Sequence, residues 1–268
     1  MAIELVVTDL DGTFWDADDE VHPRTRAAVD ELERRGIPLL VATGRRRGSA
    51  AAPLGRADLC PPAVLLNGSL CLELGTGRRF HQQAFDTETA VALLDAWLEG
   101  GIEPVVYVDH PDIEVVVGDR PSTHPRHLAG MGPLAVFGDL HHTVATMPVL
   151  ALAVIGCDEA DLAAIATSVD GRVAEILVPS HGSYPGHNLH HWPLGLSKWD
   201  GVEAYCRLSG HDPSKVLAVG DSLNDLELLD RAAVSCAPTS AHPVALAAAD
   251  QTVGPPETGG WADILDLL

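Results

Sequence analysis

Four short apolar runs in this chain each end abruptly in polar or acidic residues. The runs span 3–8, 37–42, 63–66 and 216–219, and helical spacing of apolar residues follows several of them. Short, nearly uninterrupted apolar runs are typical of strands buried on both faces of a parallel sheet. The pattern predicts an α/β fold, a Rossmann-like doubly wound parallel sheet, with its functional site at the carboxyl ends of the strands.

The segment 81–187 has a different character. It contains predicted helices at 87–99 and 159–169 and predicted strands at 104–108, 113–117, 149–155 and 174–178. None of these strands runs directly into paired carboxylates as the first strand does. We therefore expect an inserted α+β domain at 81–187, within a core formed by 1–80 and 188–268.

Three histidines, His187, His190 and His191, lie near the end of the inserted segment. Adjacent residues of an extended chain point to opposite faces, so His190 and His191 would not bind one metal ion together. We expect these side chains to be exposed to solvent or packed at a hinge.

The net charge restricts the class of partner. Seventeen Lys and Arg residues stand against 38 Asp and Glu residues, which gives a formal charge of -21. A nucleic-acid backbone would be repelled over most of such a surface, so no nucleic-acid partner is expected. A small anionic substrate would need a local positive site, and the chain has only two lysines, Lys198 and Lys215.

The cysteines and the longest apolar stretch bear on the cellular location of the protein. The five cysteines are odd in number and form no Cys-x-x-Cys pair, which favours reduced thiols in a cytoplasmic protein. The stretch 147–155 is far shorter than the roughly 20 residues that a spanning helix needs. We expect no signal peptide, no membrane segment and a cytoplasmic location, and the oligomeric state is left open.

Asp9 and Asp11 follow the first apolar run and are separated by one residue. Two carboxylates so close repel each other unless a cation lies between them or one carboxyl group holds a proton. A magnesium site with one acid free to carry protons would satisfy both conditions. The alternative is a simple turn, because Asp and Gly are common turn residues.

A second acidic loop follows the run at 216–219. Asp221 lies directly at the predicted strand end, and Asp225 follows four residues later. Asp225 alone could be explained as part of a helix N-terminus, where Asp is favoured. That explanation does not extend to Asp221, which follows a glycine at the end of an apolar strand.

Four motifs in this order resemble those of the haloacid dehalogenase superfamily. They are VVTDLDGT, VATGR, Ser197-Lys198 and GDSLND. The large insert between the second and third motifs resembles the Cof-type branch, the class IIB sugar phosphatases with a C2 cap. Trp199 stands where the family usually has glycine, and Asn67-Gly68-Ser69 matches the family's Asn-Gly-Ala only loosely and is equally compatible with a turn.

The resemblance implies a division of labour between the first two aspartates. Asp9 would be the nucleophile that forms an aspartyl-phosphate. Asp11 would protonate the leaving oxygen and then deprotonate the hydrolytic water. Mg²⁺ would be held by the Asp9 carboxylate, the Asp11 backbone carbonyl and Asp221.

The resemblance also implies a phosphate site and its surroundings. Lys198 would supply the positive charge. Asp225 would orient Lys198 or a metal-bound water. The residues expected to hold phosphate are Thr43, Gly44, Lys198 and Asn224. Apart from the resemblance, Arg45, Arg46 and Arg47 form a small basic cluster that could steer an anionic substrate; arginines at a helix start are often partly solvated, and only Arg45 is expected to contact the substrate.

These features predict a magnesium-dependent phosphomonoesterase that hydrolyses a small phosphorylated metabolite, such as a sugar phosphate. One alternative is a phosphotransferase or phosphomutase of the phosphomannomutase kind, which would share the aspartyl-phosphate and exclude water. Another is a non-catalytic phosphate-binding regulatory module. The presence of Asp11 speaks against the module, since a binding protein has no need of a second aspartate that transfers protons.

Overall fold

The chain divides into two compact units. The structure, a computed structural model, describes residues 2–169, 171–180 and 184–268. The first unit, here the core unit, comprises the residues up to Arg45 together with Ala50–Gln82 and Ser197–Leu268. The second, here the insert unit, comprises Arg46–Ser49 and Gln83–Leu196. The expected domain limits of 1–80, 81–187 and 188–268 remain a prediction.

The helices and strands are numbered in chain order. The strands are β1 Leu5–Thr8, β2 Leu39–Ala42, β3 Pro62–Leu65, β4 Leu70–Glu73, β5 Arg79–Gln82, β6 Val105–Val108, β7 Val115–Val117, β8 Ala135–Phe137, β9 Val149–Cys157, β10 Ala174–Pro179, β11 His187–Trp192, β12 Val216–Val219, β13 Val234–Pro238 and β14 Gln251–Val253. The α-helices are α1 Pro23–Arg35, α2 Arg47–Arg56, α3 Thr87–Glu99, α4 Pro125–Ala129, α5 Leu140–Thr146, α6 Glu159–Val169, α7 Lys198–Ser209, α8 Leu226–Arg231 and α9 Pro243–Ala248.

The core unit is organised around one sheet with β1 near its centre. Among the described residues the strand order is β14-β13-β12-β1-β2-β3-β4-β5. The strands from β14 to β3 pair in parallel, and β4 and β5 form an antiparallel extension. The chain builds outward from β1 to β3 on one side and from β12 to β14 on the other. This order places a topological switch point between β1 and β12, and the predicted α/β fold is confirmed.

Helix α7 covers part of this sheet. Ser197 caps the helix, and a capping box joins its side chain and backbone to Asp200. Trp199, at the position where glycine was the usual residue, is only 2% exposed and packs in the same apolar cluster as Val7 and Val64. Trp199 therefore anchors the first turn of α7 to the sheet.

Gly201 lies where α7 meets the sheet. A Cβ atom at this position would lie 2.6 Å from both methyl carbons of Val64 and 2.8 Å from Cys71 Sγ. We expect Gly201→Ala to lower the free energy of unfolding by about 1–3 kcal/mol, because overpacking outweighs the better helix propensity of alanine. Gly55→Ala is the matched control, since a Cβ in that helix meets no atom within 4 Å. Urea unfolding curves that show equal stability for the two variants would contradict this packing.

The insert unit is an α+β arrangement. Its described strands form a sheet in the order β10-β11-β9-β6-β7-β8, antiparallel except for the β7–β8 pair. Helices α3, α5 and α6 contribute apolar side chains to one core with this sheet. Trp97 of α3 is fully buried there.

Strand β11 was missed by the sequence prediction, which placed no strand between residues 178 and 216. Three of its six residues are histidines, so the run lacks an apolar pattern. His191 is fully buried, which excludes solvent exposure, the first of the two expected settings, for this side chain. Its Nδ1 accepts a hydrogen bond from Trp97 Nε1 at 2.9 Å, and its Nε2 lies 3.0 Å from Glu175 Oε2. Polar partners supplied by the fold make this histidine compatible with the core.

Across the described residues, no helix combines the length and the hydropathy needed to cross a membrane.

Candidate active site

Asp9 begins the loop after β1. Its backbone N–H donates to the Val219 carbonyl of β12 at 2.9 Å, which continues the parallel ladder by one residue. The Thr8 hydroxyl donates to the Asp9 carbonyl at 2.7 Å and accepts from Trp261 Nε1 at 2.9 Å. The side chain of Asp9 is only 7% exposed. The sheet and the C-terminal segment therefore hold this carboxylate in a fixed and largely dry position.

Lys198 connects Asp9 to the second acidic loop. Its ammonium group lies 2.7 Å from Asp9 Oδ1 and 2.7 Å from Asp225 Oδ1, with 1% of the side chain exposed. Lys198 is the first residue of α7, where the helix dipole disfavours a cation. Two direct carboxylate partners offset that cost and the cost of burial.

Asp225 is fully buried and holds this loop in shape. Its Oδ2 accepts hydrogen bonds from the backbone N–H groups of Asp221 and Ser222, both at 3.1 Å. Its other oxygen, Oδ1, accepts a hydrogen bond from the ammonium group of Lys198. Both oxygens of Asp225 are thus engaged by the protein, which fits an orienting role better than direct metal binding.

Asp221 lies against the turn after β1. The Thr13 hydroxyl donates to its Oδ1 at 3.3 Å. Gly12 has φ +70, and a Cβ there would lie 2.5 Å from Asp221 Oδ2. The glycine of the Asp-Leu-Asp-Gly motif is therefore needed twice, for its left-handed backbone and for the close approach of Asp221.

The acidic cluster, formed by Asp9, Asp11, Asp221 and Asp225, carries more negative charge than Lys198 can compensate. Burial, together with Asp225, Asp221 and Asp11, raises the pKa of Asp9 well above its ordinary range, although Lys198 opposes the shift. Burial and Asp225 raise the pKa of Asp221 to about 7. Burial alone would lower the pKa of Lys198, but Asp225 and Asp9 outweigh it and raise that pKa. Carboxylates in this group are therefore short of compensating positive charge.

The acidic cluster has the donor chemistry of a site for a hard cation. Oxygen atoms of Asp9, Asp221 and Asp225 all lie within 4.8 Å of one another. Carboxylate oxygens are the ligands that Mg²⁺ prefers, and a divalent cation would offset the repulsion between the Asp9 and Asp221 carboxylates. The residues present therefore fit a magnesium ion.

The loops after β2, β3 and β12 bring together three of the expected phosphate-binding residues, Thr43, Gly44 and Asn224. Asn67 N–H donates to the Thr43 carbonyl at 3.1 Å, and Asn224 Nδ2 donates to Asn67 Oδ1 at 2.8 Å. A Cβ on Gly44 would lie 3.3 Å from Asn67 Oδ1. Thr43, Gly44 and Asn224 are thus neighbours, joined through Asn67.

Asn67 is a site residue that the sequence analysis did not include. It is 2% exposed and has φ 55, and Leu66 before it has φ 49. Left-handed backbone is costly for a residue such as leucine and persists only where surrounding contacts impose it. The loose Asn-Gly-Ser match was the only signal in the sequence, and a simple turn explained it equally well.

Arg45 lies beside Asp11. Its Nε donates to Asp11 Oδ2 at 2.7 Å, and its Nη2 donates to Asp11 Oδ1. Trp15 Nε1 also donates to Asp11 Oδ1, at 3.2 Å, and the Arg45 guanidinium lies 4.8 Å from the Trp15 ring centre. The structure places this arginine against a carboxylate of the site, and its contact with substrate stays a prediction.

Comparison with known proteins decides the family. A profile of the haloacid dehalogenase-like hydrolases matches residues 6–265. The chain belongs to this family. The 5-amino-6-(5-phospho-D-ribitylamino)uracil phosphatase YitU of Bacillus subtilis (strain 168) is 23% identical to it over 267 residues, covering 97% of this chain and 96% of that protein.

Two solved structures show the same fold. A haloacid dehalogenase-like hydrolase from B. subtilis has a TM-score of 0.81 at 19% identity, over 99% of this chain and 100% of that one. The HAD subclass IIB sugar phosphatase BT4131 has a TM-score of 0.78 at 18% identity, over 98% of both chains. The predictions of a haloacid dehalogenase hydrolase of the Cof type, and of an enzyme of the phosphatase kind, are confirmed.

Proposed function

We propose that this haloacid dehalogenase-like hydrolase is a magnesium-dependent phosphomonoesterase that forms an aspartyl-phosphate on Asp9. The observation that carries the proposal is the buried chain of contacts from Asp9 through Lys198 to Asp225, with Asp221 alongside. A buried carboxylate fixed beside a buried cation is suited to attack a phosphoryl group, whose negative charge Lys198 would attract.

In this proposal an oxygen of Asp9 attacks phosphorus, and the bond from phosphorus to the leaving oxygen breaks. Lys198 holds a phosphoryl oxygen together with Thr43, Gly44 and Asn224. Asp225 keeps Lys198 directed toward Asp9. These residues position the phosphoryl group, which supplies much of the catalysis in phosphoryl transfer.

Asp11 transfers the protons. As an acid it gives a proton to the departing oxygen, and as a carboxylate it then takes one from the water that hydrolyses the aspartyl-phosphate. Its side chain is 34% exposed, in contrast to Asp9, so it can exchange protons with solvent. The two aspartates thus have environments suited to different tasks.

Asp9, Asp221 and the Asp11 backbone carbonyl would hold the magnesium ion. When bound, the ion would offset the repulsion between Asp9 and the phosphate and stabilise charge that develops during transfer.

The substrate we propose is a small organic phosphate, such as the phosphate ester of a sugar or sugar alcohol. One relative is named for a phosphorylated ribitylamino compound, and one structural neighbour is named a sugar phosphatase. The chain's strong negative charge is consistent with a small substrate whose phosphate is bound by one buried positive group, Lys198.

The test is a panel of several dozen sugar, sugar-alcohol and nucleotide phosphates with purified protein and Mg²⁺. We expect release of free phosphate from at least one of them, abolished by a chelator and restored by added Mg²⁺. Binding of an ester without turnover would favour a regulatory module, and strict dependence on a second sugar acceptor would favour a phosphotransferase.

Two matched variants assign the metal dependence to this site. Asp221→Asn should raise the Mg²⁺ concentration needed for half-maximal rate by about tenfold or more, because it removes a charged ligand. Asp266→Asn, which removes the same charge from an exposed position, should leave the Mg²⁺ dependence unchanged. Equal Mg²⁺ dependence in both variants would contradict the assigned ligand.

A further inference from the structure

Arg45 is held by a second carboxylate besides Asp11. Asp19 lies in the segment between β1 and α1, and its two oxygens accept from Arg45 Nη1 at 3.2 Å and from Arg45 Nη2 at 2.5 Å. The side chains of Arg45 and Asp19 are 23% and 32% exposed. Asp19 is absent from the sequence motifs, and its contact with Arg45 emerges only from the fold.

A compact turn presents Asp19 to the arginine. Asp19 has φ 60, a left-handed conformation that is uncommon for a residue with a side chain. Its N–H donates to the Asp16 carbonyl at 3.1 Å, and Asp16 Oδ1 accepts from the N–H groups of Asp18 and Glu20, both at 3.0 Å. Four residues thus cooperate to keep one carboxylate in an unusual backbone setting beside the site.

We propose that Asp19 acts through Arg45 as a positioning residue for the Asp11 carboxyl group, an inference that rests on the proposed phosphatase function. A guanidinium group is planar and presents its N–H donors in fixed directions. With Asp19 on Nη1 and Nη2, the edge formed by Nε and Nη2 faces Asp11. Rotation of Arg45 would break its bonds to Asp19, so Asp19 fixes the orientation that Arg45 imposes on Asp11.

The orientation of Asp11 matters at one chemical step. As Asp9 forms its bond to phosphorus, the bond from phosphorus to the ester oxygen breaks, and the proton of the Asp11 carboxyl group goes to that oxygen. The products are the alcohol, the Asp9 phosphoryl ester and the Asp11 carboxylate. A leaving group that is stable as an anion has little need of this proton, whereas a poor leaving group depends on it.

The test compares two aryl esters, phenyl phosphate and 2,4-dinitrophenyl phosphate, through kcat/KM, which reports the steps up to phosphoryl transfer. Asp19→Ala should lower kcat/KM for phenyl phosphate by about tenfold or more, and for the dinitrophenyl ester by less than about threefold. Asp19→Glu should recover most of the loss on phenyl phosphate. The ratio of the two rates is internal to each preparation, so a smaller folded fraction does not alter it.

Asp18→Asn is the matched control, because it removes the same charge from the adjacent, exposed position. It should leave both rates unchanged. An Asp19→Ala variant that loses equally on both esters, or on neither, overturns the inference while the wild-type activity leaves the proposed function standing. Absence of turnover by the wild-type protein on these esters and on the wider panel overturns the proposed function and this inference with it.

Discussion

Replacing Asp9 by asparagine is expected to reduce phosphatase turnover by about 10⁴-fold or more, because an amide cannot form the phosphoryl ester. The fold should survive. Burial and the neighbouring carboxylates raise the pKa of Asp9, so its negative charge is unfavourable in the folded state. A neutral side chain of the same shape removes that repulsion and can still accept the hydrogen bond from Lys198.

Two measurements check this expectation together. Phosphate release from the best substrate gives the loss of activity, and thermal unfolding in the presence of a chelator gives the stability. We expect a melting temperature equal to or above that of the wild type. Asp266→Asn, with the same change in charge at an exposed position, should retain full activity. Retained turnover in Asp9→Asn would refute the assigned nucleophile.

Replacing Lys198 by methionine should have the largest effect on stability. The ammonium group is buried between Asp9 and Asp225, and its removal would leave these carboxylates without their shared partner. Breaking such a buried pair costs about 3–5 kcal/mol of unfolding free energy. Activity should be lost as well, because no other lysine is available to hold the phosphate.

The only other lysine of the chain offers the control. Lys215 pairs with Glu4 at 2.6 Å, but both side chains are about one-third exposed, so Lys215→Met should leave the urea midpoint almost unchanged. Combining Lys198→Met with Asp9→Asn should cost less than the sum of the two single effects, since Asp9→Asn removes one of the two negative charges that Lys198→Met leaves unpaired. Strict additivity in the urea unfolding curves would show that the two side chains do not interact.

The location of the candidate site could be predicted from the points where apolar runs end. Asp9 and Asp221 follow strands that pair side by side, with Thr8 opposite Val219, so two loops far apart in sequence had to meet. In a parallel sheet the carboxyl ends of the strands lie at one edge, which brings these loops together, and the motifs located the same residues independently. The α/β fold was predictable for the same reason, since short buried strands and helices leave strong periodic patterns.

The contacts that hold the site could not be predicted in this way. Asn67 and Asp19 each have a left-handed backbone conformation, and Trp261 of the C-terminal segment donates a hydrogen bond to Thr8. Each depends on a partner that only the folded chain brings near. The same limit applies to β11, whose buried His191 is satisfied by Trp97 of a distant helix, and to β8, a three-residue edge strand too short to carry a pattern.

The central position of β1 in the sheet has a consequence for synthesis on the ribosome. Its neighbour β2 follows within about 35 residues, but its other neighbour β12 begins with Val216, paired to Leu5, more than 200 residues later. At about 5–20 residues per second, that edge of β1 waits on the order of 10–40 s for its partner. Until then the emerging chain carries an apolar, unpaired strand edge. The acidic cluster can be assembled only after that edge is closed, among the last events in the making of the molecule.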